Sequence, residues 1–378
     1  MNETNFESAF GSFQLERLPR RKKELLRAWD AADEYLLQQL AELQLTIDQP
    51  LICNDGFGAL AVALSHSRPI SWSDSWLAHQ AARENLHINK VAAGSVEFLP
   101  STEPLTQPLE LVLIKVPKNL ALLEYQLNQI KPHLRSDSKL LLAGMVKAMS
   151  ATIWKMLEQI IGPTETSLAH KKARIITAIP NHDLPRVKSS YPTSWKLENT
   201  EYSLLNHANT FSRDRLDNGT RLLLQHLPST EGAIDIVDLG CGNGVLGMMA
   251  AHHNPAANIS FIDESYMAIA SARHNMQQLT RHTGQAEFFN ADGLKQFAED
   301  SVDLVLCNPP FHQQQAQLDT VAHSMFIESA RVLREAGELW VIGNRHLNYH
   351  QKLKRWFKRV DLVASDRKFV LLKAVKVE

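Results

Sequence analysis

The sequence predicts two consecutive α/β units, each a parallel sheet covered by helices on both faces, and three observations carry that expectation. The chain has 378 residues, too many for one ordinary domain. Its second half alternates short apolar runs with helical stretches. Its first half repeats the same order of features, and the proline-bearing stretch His182–Ser194 sets the expected break, giving units 1–188 and 189–378.

In the second half, a lead-in turn and helix are expected between Ser203 and Leu227. A strand from Ala233 to Leu239 then runs through a glycine turn into a helix Val245–His253. A second strand, Asn258 to Ile262, ends at Asp263 and leads into a helix Tyr266–Leu279. Three more strands follow: Glu287–Asn290 with the turn Ala291-Asp292, Val302–Cys307, and Glu338–Gly343 after a helix Ser324–Leu333.

The first half matches this at three places in sequence. Leu51 to Leu60 parallels the first strand and turn, with Gly56 on Gly242 and Gly58 on Gly244. Trp72–Asn85 parallels Ile262–Asn275, with Ser75, Arg83 and Asn85 falling on identical residues. Leu111–Lys118 parallels Leu304–Phe311, with Lys115 where Asn308 stands. A duplication explains this agreement better than periodicity alone.

Composition narrows the class. With 44% hydrophobic and 21% charged residues and no apolar run of bilayer length, the chain reads as globular and not membrane-embedded. Its first residues show no signal-peptide pattern. Three cysteines, Cys53, Cys241 and Cys307, lack metal-type spacing, so a reducing cytoplasm and no structural metal are expected. Net charge is -1, yet His346–Lys376 holds nine Lys or Arg against Asp361 and Asp366. Such runs are most often solvated faces.

The chemistry concentrates at strand ends. Asn308-Pro309-Pro310-Phe311 removes two backbone donors but leaves the Asn308 side-chain oxygen and the Pro309 carbonyl as acceptors, suited to a planar amine, with Phe311 as a stacking face. Pro-Pro is also an ordinary strand-ending turn. Asp238-Leu239-Gly240-Cys241-Gly242-Asn243-Gly244 lets the backbone approach a ligand closely. Gly242–Gly247 also fits a dinucleotide fingerprint, but Asp238 is unwelcome beside a pyrophosphate and suits a cationic, amino-bearing cofactor, S-adenosylmethionine.

Together the glycine turn, Asp263, Ala291-Asp292 and Asn308–Phe311 resemble the class I methyltransferases. The phenylalanine form of the tetrapeptide, the altered first copy and Asn206–Arg213 are similar to the bacterial ribosomal RNA guanine-N2 methyltransferases, as are Asn344–Leu347 and the basic C-terminus. The resemblance implies two tandem Rossmann-like domains, the N-terminal one degenerate, and methylation of a guanine N2 in 23S ribosomal RNA. It places Asp238, Gly240, Gly242 and Gly244 along the methionine part of S-adenosylmethionine, Asp263 on the ribose hydroxyls and Asp292 on the adenine amine. Asn308, Pro309, Pro310 and Phe311 would form the acceptor site. His312 reads as a neighbour, and Phe211 as a pocket residue or as core packing.

The first copy departs at each point: Ile52 replaces the acid, Ser73 stands at the ribose position and Lys115 at the amine acceptor. It is expected to bind no cofactor and either to face RNA through Lys115, Lys118 and Lys171–Arg174 or to be purely structural. The expected protein is a monomer that engages neither DNA nor membrane. Rival readings are 16S RNA as substrate, a protein glutamine-N5 or adenine-N6 methyltransferase, and an RNA-binding module without turnover.

Overall fold

The structure, a computed structural model, describes residues 3–20, 24–44, 48–185, 187–229, 234–310 and 315–377. The chain divides into two compact units, Met1–Tyr191 and Pro192–Glu378.

In the second unit helices follow the strands Asp235–Leu239, Asn258–Asp263 and Val302–Cys307 and return the chain along the sheet, so the first five strands pair in parallel. The seven strands stand in the order Ala286–Asn290, Asn258–Asp263, Asp235–Leu239, Val302–Cys307, Leu333–Asn344, Phe369–Val375, Arg359–Ser365, the last two antiparallel. Strand order reverses beside Asp235–Leu239, opening a crevice at the carboxyl ends. There Leu239 lies opposite Cys307. The next residues, Gly240 and Asn308, are therefore neighbours although far apart in sequence. Both faces are buried: Ile236, Leu304 and Leu306 pack with Met248 and Phe261, while Val237, Leu239, Val305 and Cys307 pack with Phe326 and Tyr349. Burial on both faces is why these strands read as unbroken apolar runs.

The first unit repeats the order with Glu97–Pro100, Ile70–Ser73, Leu51–Cys53, Leu109–Lys115, Leu134–Met145, Ala173–Ala178 and Thr164–Thr166. Its supporting contacts repeat too. Ser75 and Ser265 each cap a helix by accepting from the backbone N–H three residues on. Gly58 and Gly244 both have positive φ, 83° and 77°, and a Cβ there would strike Ala82 or Ala272 at 2.6–2.7 Å. Asn85 and Asn275 hold the lead-in chain and the glycine turn by the same bonds, donating to Glu16 and Phe57 carbonyls in one unit and to Leu205 and Asn243 carbonyls in the other.

Several boundaries differ from expectation. The lead-in of the second unit contains an antiparallel hairpin, Thr193–Lys196 with Ser203–Asn206, too short to announce itself, before the helix Asn218–Leu224. The helix expected from Ser324 begins at Gln315, because its polar first turns show no apolar stripe, and Leu333 starts the following strand. The helix from Tyr266 ends at Met276. Ala233, the expected start of the first strand, lies outside the described residues. Among the described residues no helix is long and apolar enough to cross a membrane.

Candidate active site

The turn after Asp235–Leu239 is built from three left-handed glycines, Gly240, Gly242 and Gly244, at φ 71°, 55° and 77°. Left-handed backbone at three alternate positions favours glycine, and glycine at all three strips the turn of side chains. Asp238 stands just before it, 1% exposed, its Oδ2 accepting from the Gly247 N–H at 2.8 Å. Burial pushes the Asp238 carboxyl up to about 8, a rise that the Gly247 N–H opposes and the charge of Asp263 reinforces. Asp263, at the next strand end, accepts from Gly242 N–H at 2.9 Å and Ser265 N–H at 3.0 Å. The bare turn with a carboxylate at either side fits a cationic, hydroxyl-bearing ligand such as S-adenosylmethionine. Asp292 follows the third strand on a loop whose Leu294 N–H is held by Glu328; its carboxylate pairs with Lys295 at 2.7 Å on the surface.

Asn308 is the junction of the site. Its Nδ2 donates to Thr220 Oγ1 at 2.8 Å and to Asp217 Oδ2 at 3.4 Å. Its Oδ1 is buried with no hydrogen-bond partner among the described residues. A carboxylate only accepts, so the amide nitrogen must face Asp217 and the oxygen must point elsewhere. Pro309 is buried and Pro310 exposed. Phe311 and His312 lie outside the described residues.

Asn308, Asp217, Thr220, Gly240 and Gly242 line one narrow cleft with Trp195 and Phe211, whose cavity amounts to about 30 Å³. Phe211 is 45% exposed, which settles it as a cleft residue instead of core packing. The segment Asn206–Arg213 is fixed from below: Asn206 Oδ1 accepts from Asn243 in the glycine turn at 2.9 Å, and Thr210 and His207 bond Ser271. The Trp195 indole N–H, also lining this cleft, is likewise buried without a partner among the described residues. Asp217, Thr220 and Trp195 were not singled out from sequence. For Asp217 a signal existed, because Asp30 caps the corresponding helix of the first unit.

In the first unit the corresponding crevice is filled. Asn54 replaces Gly240 at the same left-handed geometry, φ 64°, and its amide donates to the Lys115 carbonyl at 3.0 Å and to Gln126 at 2.9 Å. Ile52 stands where Asp238 would, but Asp55 takes over its task, accepting from Ala61 N–H at 2.9 Å and from Gly58 at 3.0 Å inside the turn. Lys115 does not face outward. Its ammonium lies 2.8 Å from Asp30 and 2.7 Å from Asp33, and these carboxylates hold it above the ordinary lysine range against the opposing effect of burial. The expected phosphate contact at Lys115 is therefore corrected, and Lys171 is likewise paired, with Glu34 at 2.7 Å.

A sheet in this order, with a glycine turn after its first strand, an acid ending the second and Asn-Pro-Pro ending the fourth, defines a class I methyltransferase. The family described as RLMG N-terminal domain matches residues 3–182, and the Methyltransferase small domain matches residues 201–373. Ribosomal RNA large subunit methyltransferase G of Pseudomonas aeruginosa is 48% identical over 98% of this chain and 99% of its own length. The protein of that name from Streptomyces griseus is 44% identical over 98% of this chain and 99% of its own length. The fold matches a T. thermophilus 16S rRNA guanine-N2 methyltransferase in complex with AdoMet and guanosine, with TM-score 0.76 and 18% identity over 99% of this chain and 97% of that one. The chain belongs to the ribosomal RNA large subunit methyltransferase G family.

Proposed function

We propose that this chain transfers the methyl group of S-adenosylmethionine to the exocyclic N2 of a guanine in 23S ribosomal RNA. The observation that carries the reading is the Asn308 amide: a buried acceptor without a partner among the described residues, beside a glycine turn whose N–H groups Asp238 and Asp263 hold. Buried acceptors are nearly always paired, so one left open in a cleft fits a donor that arrives with the substrate. The names of the relatives supply the RNA and its subunit, and the solved neighbour's guanosine complex supplies the base.

On this reading Asp238, Gly240, Gly242 and Gly244 hold the amino-acid end of the cofactor, Asp263 its ribose and Asp292 its adenine. The bound cofactor supplies an electrophilic methyl group. Asn308 Oδ1 and the Pro309 carbonyl accept the two N2 hydrogens, which turns the nitrogen lone pair away from the ring and toward the methyl carbon. Positioning does most of the work, and the amine becomes acidic as it is alkylated, so no strong base is required. Phe311 and Phe211 offer stacking faces for a base taken out of its helix, and the Trp195 N–H a donor for a ring acceptor. Cofactor turn and amine acceptor belong to one unit of one chain, which supports a monomer, and three free buried cysteines suit the cytoplasm. The filled turn of the first unit supports its reading as a domain that binds no cofactor.

Mass spectrometry of nuclease digests of 23S and 16S RNA, each incubated with the protein and S-adenosylmethionine, tests the reading. N2-methylguanosine in 23S RNA, absent with Asn308→Ala, is expected. Methylation confined to 16S RNA or to protein glutamine overturns it.

A further inference from the structure

The orientation of Asn308 is not set by its own strand. Rotating a terminal amide by half a turn changes little in packing, so a partner must select which end faces the cleft. Asp217 is that partner. It caps the helix Asn218–Leu224 by accepting from Thr220 N–H at 3.0 Å, which fixes the carboxylate before Asn308 meets it. The flipped amide would set Oδ1 against carboxylate oxygen, two acceptors with no hydrogen between them. Thr220 Oγ1 adds the shorter contact, 2.8 Å.

The first unit bears on this independently. There the helix cap Asp30, its third following residue Asp33 and the strand-end Lys115 occupy the matching three places and meet at 2.7–2.8 Å. The cap, the residue three further on and the strand end thus converge in both units, whatever side chains they carry. In one unit convergence yields an ion-pair cluster in which the strand-end ammonium is held by both carboxylates. In the other it yields an amide with one end tied and one end free.

We propose that Asp217, assisted by Thr220, is the positioning residue of the methyl-acceptor site: it locks the Asn308 amide with Oδ1 presented to the incoming amine. This rests on Asn308 being the amine acceptor. Asp217 also strengthens that acceptor, because a negative charge at the amide hydrogens shifts electron density toward Oδ1. The charge confines the site to groups that donate: an amine is held, while a carbonyl or ring nitrogen meets acceptor against acceptor.

Asp217→Asn tests this without disturbing the helix, since asparagine caps as well as aspartate and has the same shape. The oxygen that caps the helix is also the one that faces Asn308, so Asp217→Asn keeps the cap and removes only the charge, and the weaker neutral acceptor no longer holds the Asn308 amide hydrogens in one orientation. The expected result is a kcat at least tenfold lower, with cofactor Kd, KM for RNA and thermal midpoint unchanged. Thr220→Val lowers kcat by a smaller factor and Thr220→Ser restores it. In an Asn308→Ala background, Asp217→Asn causes no further loss, because Asp217 acts through Asn308. Wild-type kcat in Asp217→Asn beside an inactive Asn308→Ala overturns the positioning role and leaves the amine-acceptor reading intact. Full activity of Asn308→Ala overturns that reading itself. Equal loss of cofactor affinity and kcat in Asp217→Asn assigns Asp217 to the fold and overturns the proposal.

Discussion

At the crevice between the first and fourth strands the two units differ in what fills the same backbone. Gly240 becomes Asn54 with its left-handed φ kept, 71° against 64°. Asp238 at the strand end is exchanged for Asp55 inside the turn, yet the N–H it serves, on Gly247 or Ala61, is equivalent. Asp263 becomes Ser73, which retains the bond to the helix-starting serine N–H at 3.1 Å but brings no carboxylate. Asn308 with Asp217 and Thr220 becomes Lys115 with Asp30 and Asp33. Even the brace below the turn is replaced in kind: the Asn206–Asn243 hydrogen bond corresponds to Arg17 lying 4.3 Å over the Phe57 ring. Meanwhile the supports outside the crevice are the same, down to Arg83 over Phe98 and Arg273 over Phe288 at 4.2 and 4.5 Å. A binding site in this fold can thus be closed by satisfying its polar groups internally, with no distortion of the scaffold. Openness is the functional property, and it is maintained against the tendency of buried polar groups to find partners.

The most direct way to break this comparison is to move the first unit's strand end into the second. Asn308→Lys should pair with Asp217 and close the acceptor. Methyl transfer in single-turnover assays is expected to fall by at least about a thousandfold, the scale of losing a preorganised hydrogen-bonding group at a reacting centre. S-adenosylmethionine affinity by calorimetry should stay the same. Near-normal turnover would show that filling this position is not what silences the first copy. The reverse change, Lys115→Asn, should not create cofactor binding, because Asn54 and Asp55 still occupy the turn.

The second prediction concerns stability. Lys115 neutralises two carboxylates, one of them, Asp33, only 4% exposed. Lys115→Ala leaves that charge buried and is expected to cost about 3–5 kcal/mol in the first unit, the range for breaking a buried pair from one side. Hydrogen exchange of the Leu109–Lys115 amides should then accelerate by about two to four orders of magnitude. Adding Asp33→Ala should recover much of the loss, since it removes the uncompensated charge. If the single variant exchanges like wild type, the cluster is not the staple that replaced the site.

Sheet, repeat and glycine turn were legible in the sequence because they follow from period and from glycine. Runs such as Val302–Cys307 are apolar throughout because both faces are covered, and three glycines at alternate positions admit few readings. The pairing of Asn308 with Asp217 was not legible. It depends on the register that sets Leu239 opposite Cys307 and on a helix cap some ninety residues earlier in the chain, 308 against 217, which no local pattern connects. The fate of Lys115 was misjudged for the same reason. A lysine at a strand end looks solvent-facing until the acids of another helix are placed beside it.

Asp238 supplies a prediction of intermediate size. With its folded-state carboxyl near 8 and an unfolded value about 3.9, the cofactor-free protein keeps a proton that the unfolded chain has lost between those values. Its contribution to stability therefore falls as pH rises through that window, and Asp238→Asn should flatten the dependence. A cationic ligand favours the carboxylate, so cofactor binding should release a proton below pH 8. Affinity should rise with pH by up to about tenfold per unit between roughly 6 and 7.5. Calorimetry in buffers of different ionisation enthalpy measures the released proton; a pH-independent affinity would mean Asp238 does not face the cation.

The smallest effect expected lies outside the crevice, where the units also diverge. After its fifth strand the first unit carries the helix Ala151–Ile160, whose charged residues are Lys155 and Glu158. The second unit carries Lys354, Arg355, Trp356, Lys358 and Arg359 there, all exposed, with Phe357 as the buried anchor between them. Arg359 pairs with Asp361, and Trp356 is 43% exposed, with one side of its ring beside His323 at 5.8 Å. Cations around an exposed ring suit phosphates flanking an unpaired base. Replacing Lys354, Arg355 and Lys358 by alanine should lower the salt dependence of 23S RNA binding, each lost phosphate contact reducing the logarithmic slope by about 0.9. Trp356→Ala should weaken binding while leaving that slope unchanged, because stacking releases no counterion. If the triple variant binds RNA with the wild-type slope, the run is a solvated face like most charge runs, and the functional difference between the units then lies within the crevice.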